Sequence, residues 1–260
     1  MKLIPLGANG YLPIHGRHSS CFLVLTEHSA FLLDAGTGAA RLHEPEIRHH
    51  LEGRTDLHVL LSHYHVDHTA GLYYAFTAWR HGTLHLHAPV APFIDCDPVE
   101  AIGRYFAPPL NSYRLSDSTI RIHPVREPTL DIAGHRIAVW PQRHPGGSVG
   151  YRIDDTLAYI TDTVVLMENV PHAAGVDLLL HEMWLNEADA AADEKENQRH
   201  ACFGPVAAFV KAAQPRRVMP CHLYPHYTDA DIAAMTRALE SHAGVPADFP
   251  VEGCVYTIGA

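Results

Sequence analysis

The sequence predicts an α/β protein in which two β-sheets pack face to face with helices outside, a four-layer αββα sandwich. Two observations carry this. Short apolar or alternating runs bounded by glycine, proline or charge recur along the chain, and strands followed by a helix occur once in each half. A third bears on size: 260 residues with 47% apolar content bury one large core, and no stretch reads as a linker, so residues 1–260 form one domain.

In order, Leu3 to Leu6, Cys21 to Thr26 and Phe31 to Leu33 read as strands of the first sheet. The connection from Gly7 to Ser20 is glycine-rich and polar and offers His15, Arg17 and His18 as rim residues, while Asp34-Ala35-Gly36-Thr37-Gly38 is a tight turn with a structural role. Pro45 to Leu51 starts with a proline suited to the first helical turn, and Leu57 to Leu61 is a buried strand. Thr69 to His81 reads as a helix whose Leu72, Ala75, Phe76 and Trp79 make a core-facing stripe. Thr83 to His87 is a strand and Asp97 to Tyr105 a helix, followed by an irregular aromatic segment to Tyr113 that is long enough to line a cleft. Strands follow at Thr119 to Val125, Arg136 to Trp140, Val149 to Ile153, Leu157 to Ile160, Asp177 to Leu180 and Arg217 to Pro220, with helices at Arg199 to Ala213 and Asp229 to Ala243.

The formal charge, 19 minus 29, is -10, and the basic residues are dispersed. Both facts weigh against a long nucleic acid as partner, although a metal site still binds a single phosphate. The five cysteines lack paired spacing and read as buried free thiols of a reducing compartment. Proline and glycine interrupt the N-terminus and no run approaches membrane-spanning length, so the expectation is a cytoplasmic protein without a membrane partner. A homodimer is compatible with the sequence.

The densest chemistry is Ser62-His63-Tyr64-His65-Val66-Asp67-His68, between an apolar strand and a helix. Three imidazoles and a carboxylate in six residues suit zinc and its first-row neighbours. The absence of thiolate argues against a closed structural zinc site. With 22 histidines in the chain, some cluster by composition alone, and His49-His50 and His85/His87 are read as that background.

The spacing His63-x-His65-x-Asp67-His68 resembles the metal signature of the metallo-β-lactamase superfamily. His144 in Arg143-His144-Pro145-Gly146-Gly147-Ser148, Asp162 in Tyr159-Ile160-Thr161-Asp162-Thr163 and His222 in Pro220-Cys221-His222 resemble its later ligands, in the same order. The likeness is greatest to the ribonuclease Z and phosphodiesterase branch, where His181-Glu182 and His200 also have counterparts. The resemblance implies two divalent ions, zinc by default with manganese or iron admitted. His63, His65 and His144 would hold one, Asp67, His68 and His222 the other, and Asp162 would bridge them. Asp67, His200 and Glu182 are the candidate catalytic residues. His200 would serve as general acid or phosphate contact with Glu182 fixing its tautomer, although Arg199-His200-Ala201-Cys202 lacks the small hydroxyl residues usual after that histidine.

The implied activity is dinuclear hydrolysis of a small or cyclic phosphodiester. A ribonuclease Z-like endonuclease is an alternative, but the arm that grips transfer RNA lies in that family between the third histidine and the bridging aspartate, and here a short hairpin joins His144 to Asp162. A carboxyl-ester or lactone hydrolase, with Tyr64 or Tyr224 as oxyanion donor, and a non-haem iron oxidoreductase are the others.

Overall fold

The computed structural model describes residues 1–80 and 82–259. The first sheet has the order β13-β1-β2-β3-β4-β5-β6, formed by Tyr256–Thr257 (β13), Lys2–Gly7 (β1), Cys21–Leu25 (β2), Ala30–Leu33 (β3), Asp56–Leu60 (β4), Thr83–Pro89 (β5) and Ile120–Val125 (β6). The second has the order β12-β11-β10-β9-β8-β7, formed by Val218–Cys221 (β12), Leu178–Glu182 (β11), Leu157–Ile160 (β10), Ser148–Ile153 (β9), His135–Gln142 (β8) and Thr129–Ile132 (β7). In each sheet an antiparallel part passes into parallel strands, β3 to β6 in the first and β10 to β12 in the second.

Alternation along the strands divides the core. Phe22, Val24, Phe31, Leu33 and Leu60 face the second sheet, where Tyr151, Tyr159 and Leu180 meet them. Leu23, Leu32, Val59 and Leu86 face outward onto the helices, against Leu72, Phe76 and Trp79. Helices Phe203–Ala213 and Asp229–Ala243 cover the second sheet, the latter opened by a capping box in which Thr228 and Asp231 satisfy each other's backbone.

Several expectations need correction. The helix drawn from Thr69 to His81 is two short helices, Val66–Thr69 and Leu72–Ala78, broken at Gly71. A Cβ on Gly71 would stand 1.9 Å from the Gly36 carbonyl oxygen, so the break follows from close packing of the metal loop on the turn after β3. His81 lies outside the described residues. The helix expected from Arg199 begins at Phe203, leaving His200 in the bend ahead of it, where its N–H donates to the Glu196 carbonyl. Strand β7 went unrecognised; it is four residues long and returns through a turn at Ala133 and Gly134, both at positive φ. Of the cysteines, Cys21, Cys202 and Cys221 are buried, but Cys96 is half-buried and Cys254 exposed.

Candidate metal centre

The parallel strands of both sheets end at one cleft, and their last residues are held in unusual backbone. Asp34 after β3, Asp162 after β10 and His222 after β12 have φ of 58°, 35° and 45°. Left-handed φ outside glycine is uncommon and marks positions fixed by their surroundings. Here it turns three polar side chains away from the strand direction toward a shared point.

Asp34 organises the first half of the site. Its fully buried carboxylate accepts from Ser62 N (2.6 Å), Ser62 Oγ (2.7 Å), His68 Nδ1 (2.7 Å) and Tyr159 OH (2.7 Å). The turn expected to be merely structural therefore orients the candidate ligand His68 and fixes the loop from 62 to 68. Gly36 lets that loop approach, since a Cβ there would lie 2.2 Å from the Asp67 carbonyl oxygen.

The same logic sets the other rings. His63 Nδ1 lies 3.0 Å from Ser62 Oγ, His144 Nδ1 lies 3.2 Å from the Arg199 carbonyl and His222 Nδ1 lies 2.9 Å from Glu182 Oε1. With Nδ1 engaged in His63, His68, His144 and His222, each Nε2 faces inward. Those nitrogens surround Asp162: His63 and His144 stand 3.7 and 3.4 Å from Oδ2, and His68 and His222 each stand 3.1 Å from Oδ1. His65 completes the first group, its Nδ1 3.2 Å from His144 Nε2, and Asp67 Oδ2 completes the second, 3.2 and 3.3 Å from His68 and His222. Two donor sets, His63/His65/His144/Asp162 and Asp67/His68/Asp162/His222, thus share one carboxylate, with one oxygen toward each.

Divalent ions fit this arrangement. The donors are imidazole and carboxylate, and the buried Nε2 atoms of His63 and His68 have no hydrogen-bond partner, as lone pairs aimed at an ion would not. The electrostatics agree. Burial opposes charge on His68 and His222, but Asp162 together with Asp67, and with Asp34 or Glu182 respectively, outweighs it. The result raises His68 well above its usual range and His222 to about 10. Burial holds His63, His65 and His144 below theirs. Asp67 and Asp162 sit well below the ordinary carboxylate range because neighbouring histidines overcome their burial. In the absence of ions, protons neutralise the acidic cluster; ions would replace them.

Glu182, at the end of β11, joins the centre to His200. Its Oε1 accepts from both His200 Nδ1 and His222 Nδ1, while Oε2 accepts from Thr163 N (2.9 Å) and Ala201 N (3.0 Å). Of these, His200 and His222 overcome complete burial and lower the carboxyl to about 2, and Glu182 in turn raises His200 against the opposing effect of burial. His181 points away, its Nδ1 donating to the Glu182 carbonyl and its ring packing on Phe209.

Other candidates fall outside the cleft. His18 pairs with Glu252, Arg17 is spent on Asn9, Asp229 and the Tyr227 carbonyl, and His15 is not among the lining residues. Tyr64 OH donates to the Pro89 carbonyl, which removes it as an oxyanion donor. Tyr105, Phe106 and Leu110 line a separate cavity of about 850 Å³ with Thr69 and Tyr73. The cleft itself, about 580 Å³, is lined instead by Tyr11, Trp184, Glu196, Arg199 and Tyr224 around the ligands. Trp184 stacks on His200 (4.4 Å between centroids, 22°) and on His222 (5.1 Å, 21°), and its Nε1 donates to Glu196 Oε2 at 3.1 Å. Gly10 makes room for it, because a Cβ there would meet the indole at 2.3 Å. A tryptophan two residues beyond Glu182 on a strand end was the available signal for this packing.

The family model described as the beta-lactamase superfamily domain matches residues 30–223, three quarters of the chain. The chain belongs to the metallo-β-lactamase superfamily. Ribonuclease Z of Porphyromonas gingivalis is 24% identical over 280 residues, covering 86% of this chain and 89% of the relative. Among solved structures, the metallo-β-lactamase fold protein YhfI of Bacillus subtilis is similar at a TM-score of 0.76, with 17% identity and 99% of each chain covered. A diphosphatase of the PhnP family is similar at 0.69, with 15% identity over 98% of this chain and 97% of that one. This superfamily member therefore lies near the ribonuclease Z and phosphodiesterase branch, and membership implies divalent metal ions.

Proposed function

We propose that the protein is a dinuclear metal-dependent hydrolase of small or cyclic phosphodiesters. The observation that carries this is the single Asp162 carboxylate, shared between two donor sets on the same wall as the Glu182-held His200. Zinc is the proposed metal, with His63, His65, His144 and Asp162 holding one ion and Asp67, His68, His222 and Asp162 the other. Bound there, the ions supply Lewis-acid charge to the phosphoryl oxygens and make a water acidic enough to attack near neutral pH.

The chain's own residues do the rest. His200 Nδ1–H donates to Glu182, whose charge favours the imidazolium form against burial, and in that form the proton on Nε2, the nitrogen on the side of the cleft residue Glu196, is the one available for transfer. As the ester bond breaks, Nε2–H donates to the leaving oxygen, and Glu182 steadies the imidazole through the transfer. Trp184 keeps the ring flat against the wall, and Arg199 and Tyr224 at the rim are the groups that meet the remainder of the substrate. The likeness to a PhnP-family diphosphatase supports a small phosphorus ester, and so does the short β9–β10 hairpin between His144 and Asp162.

The match to ribonuclease Z over nearly its whole length favours a second reading, cleavage of an RNA phosphodiester. Turnover of bis(p-nitrophenyl) phosphate and cyclic nucleotides by the zinc-loaded protein, beside precursor transfer RNA, p-nitrophenyl acetate and a lactone panel, decides between them. Efficient cleavage of small diesters, with KM nearly independent of salt, is expected. Accurate RNA cleavage at nanomolar enzyme with a steep salt dependence and negligible small-diester turnover overturns the proposal in favour of the second reading.

A further inference from the structure

Away from the cleft, the structure gathers histidines that the sequence scatters. His58 on β4, His85 and His87 on β5 and His123 on β6 share the sheet face turned toward the second sheet, at the β6 edge where His123 is exposed. His58 stacks on His85 (4.8 Å between centroids, 19°) and His87 on His123 (4.9 Å, 18°). Across the pairs, His58 Nδ1 lies 3.2 Å from His87 Nε2 and His85 Nδ1 lies 2.9 Å from His123 Nε2. Asp56 is the acidic neighbour, 3.1 Å from His85 Nε2. None of these residues belongs to the cleft.

We infer that this quartet is a second, independent site for a borderline divalent ion such as zinc or nickel, with His58 Nδ1 and His87 Nε2 as its first two donors. Two imidazole nitrogens each about 2.0–2.1 Å from a tetrahedral ion stand about 3.3 Å apart, which is the spacing this pair already has. As the rings stand, two donors converge on one point, and among the described residues the groups with three or more lie in the cleft. Rotation of the His85 or His123 ring, stacked directly on the first pair, supplies the third. The rings are kept in their ligating, neutral form: burial, reinforced by the neighbouring imidazoles, lowers His58 to about 4 and His87 to about 3. An ion there ties β4 to β5 by side chains, on the sheet in which β4 leads into the loop from 62 to 68.

Equilibrium dialysis against Ni²⁺ of protein loaded with zinc only to the two equivalents the cleft would hold and then freed of excess zinc, with both metals counted per chain, tests this. One nickel is expected beyond the zinc, and His58→Gln/His87→Gln should weaken its uptake by more than the about 10–100-fold that losing an outer-sphere partner costs, with zinc content unchanged. His85→Ala/His123→Ala, placed nearer the solvent edge, should weaken it at least about tenfold on the same scale. The site is overturned if wild-type protein takes up no further nickel, if either double variant matches wild type, or if His49→Ala/His50→Ala alone abolishes uptake.

Discussion

Strand β4 feeds two histidine clusters, and a ring from each, His58 and His68, is shifted in the opposite direction by its surroundings. His58, on the strand, belongs to a quartet in which burial wins and the rings stay neutral, whereas His68, eight residues on past the strand end, is driven toward its charged form. Burial opposes charge in both places. The difference is the number of carboxylates: Asp34, Asp67 and Asp162 surround His68, while Asp56 is the acid that acts on His58 and is too weak to reverse the shift. Histidine density alone is thus a poor guide to chemistry; the carboxylates decide whether a cluster attracts protons and divalent ions strongly.

The largest expected effect follows from removing the shared carboxylate. Asp162→Ala takes one oxygen from each donor set, so both ions should be lost or weakened together, with kcat/KM falling by about 10³-fold, the equivalent of several kcal/mol of metal-derived stabilisation. Metal content and turnover measured on the same preparation check it. Retention of two ions would show that Asp162 is not shared. Next in size, His200→Ala should keep its metal and lose about 10²–10⁴-fold in rate, most of all on substrates with poor leaving groups. Metal loss, or a uniform small loss across leaving groups, would place His200 among the ligands or the supports.

How much of this was legible in the sequence follows the same contrast. The loop from His63 to His68 was readable because its donors fall within six residues, and the later candidate ligands were found through the resemblance of His144, Asp162 and His222 to the later ligands of the metallo-β-lactamase superfamily in the same order. Asp34 was taken as a turn residue, since the partner that gives it a role lies 34 positions away. Tyr11 and Glu196 carry no local pattern and become site residues only when the loop after β1 and the helical turn before His200 meet at the cleft, and the one signal for Trp184 was its place two residues past Glu182. Of the quartet, His85 and His87 were read as background and His58 and His123 were not singled out, because they lie on three strands that only the β4–β5–β6 register brings together. Asp34→Asn sharpens this point: the protein should fold, yet metal affinity should drop about 10–100-fold, the cost of losing an outer-sphere partner.

The smallest effect, and the one that tests the contrast itself, is the pH dependence of stability in the metal-free protein. His222 rises from 6.5 to about 10, so its attraction to the carboxylates is complete below pH 6.5 and is lost as pH climbs toward 10. His58 and His87 fall from 6.5 to about 4 and about 3, so their contribution is complete above pH 6.5 and is lost as pH drops toward 3 to 4, where the unfolded chain binds protons that the folded one refuses. The alkaline loss therefore belongs to His222 and its carboxylates, whereas the acid loss of His58 and His87 adds to that of the depressed His63, His65 and His144 in the cleft. Chelator-treated protein should be most resistant to urea near pH 6.5. His58→Gln/His87→Gln should flatten the acid side between about pH 4 and 6.5 and leave the alkaline loss untouched, because those rings meet no cleft carboxylate. An acid limb identical to wild type would mean that the quartet titrates freely, and that burial at the sheet edge does not set it apart from the cleft.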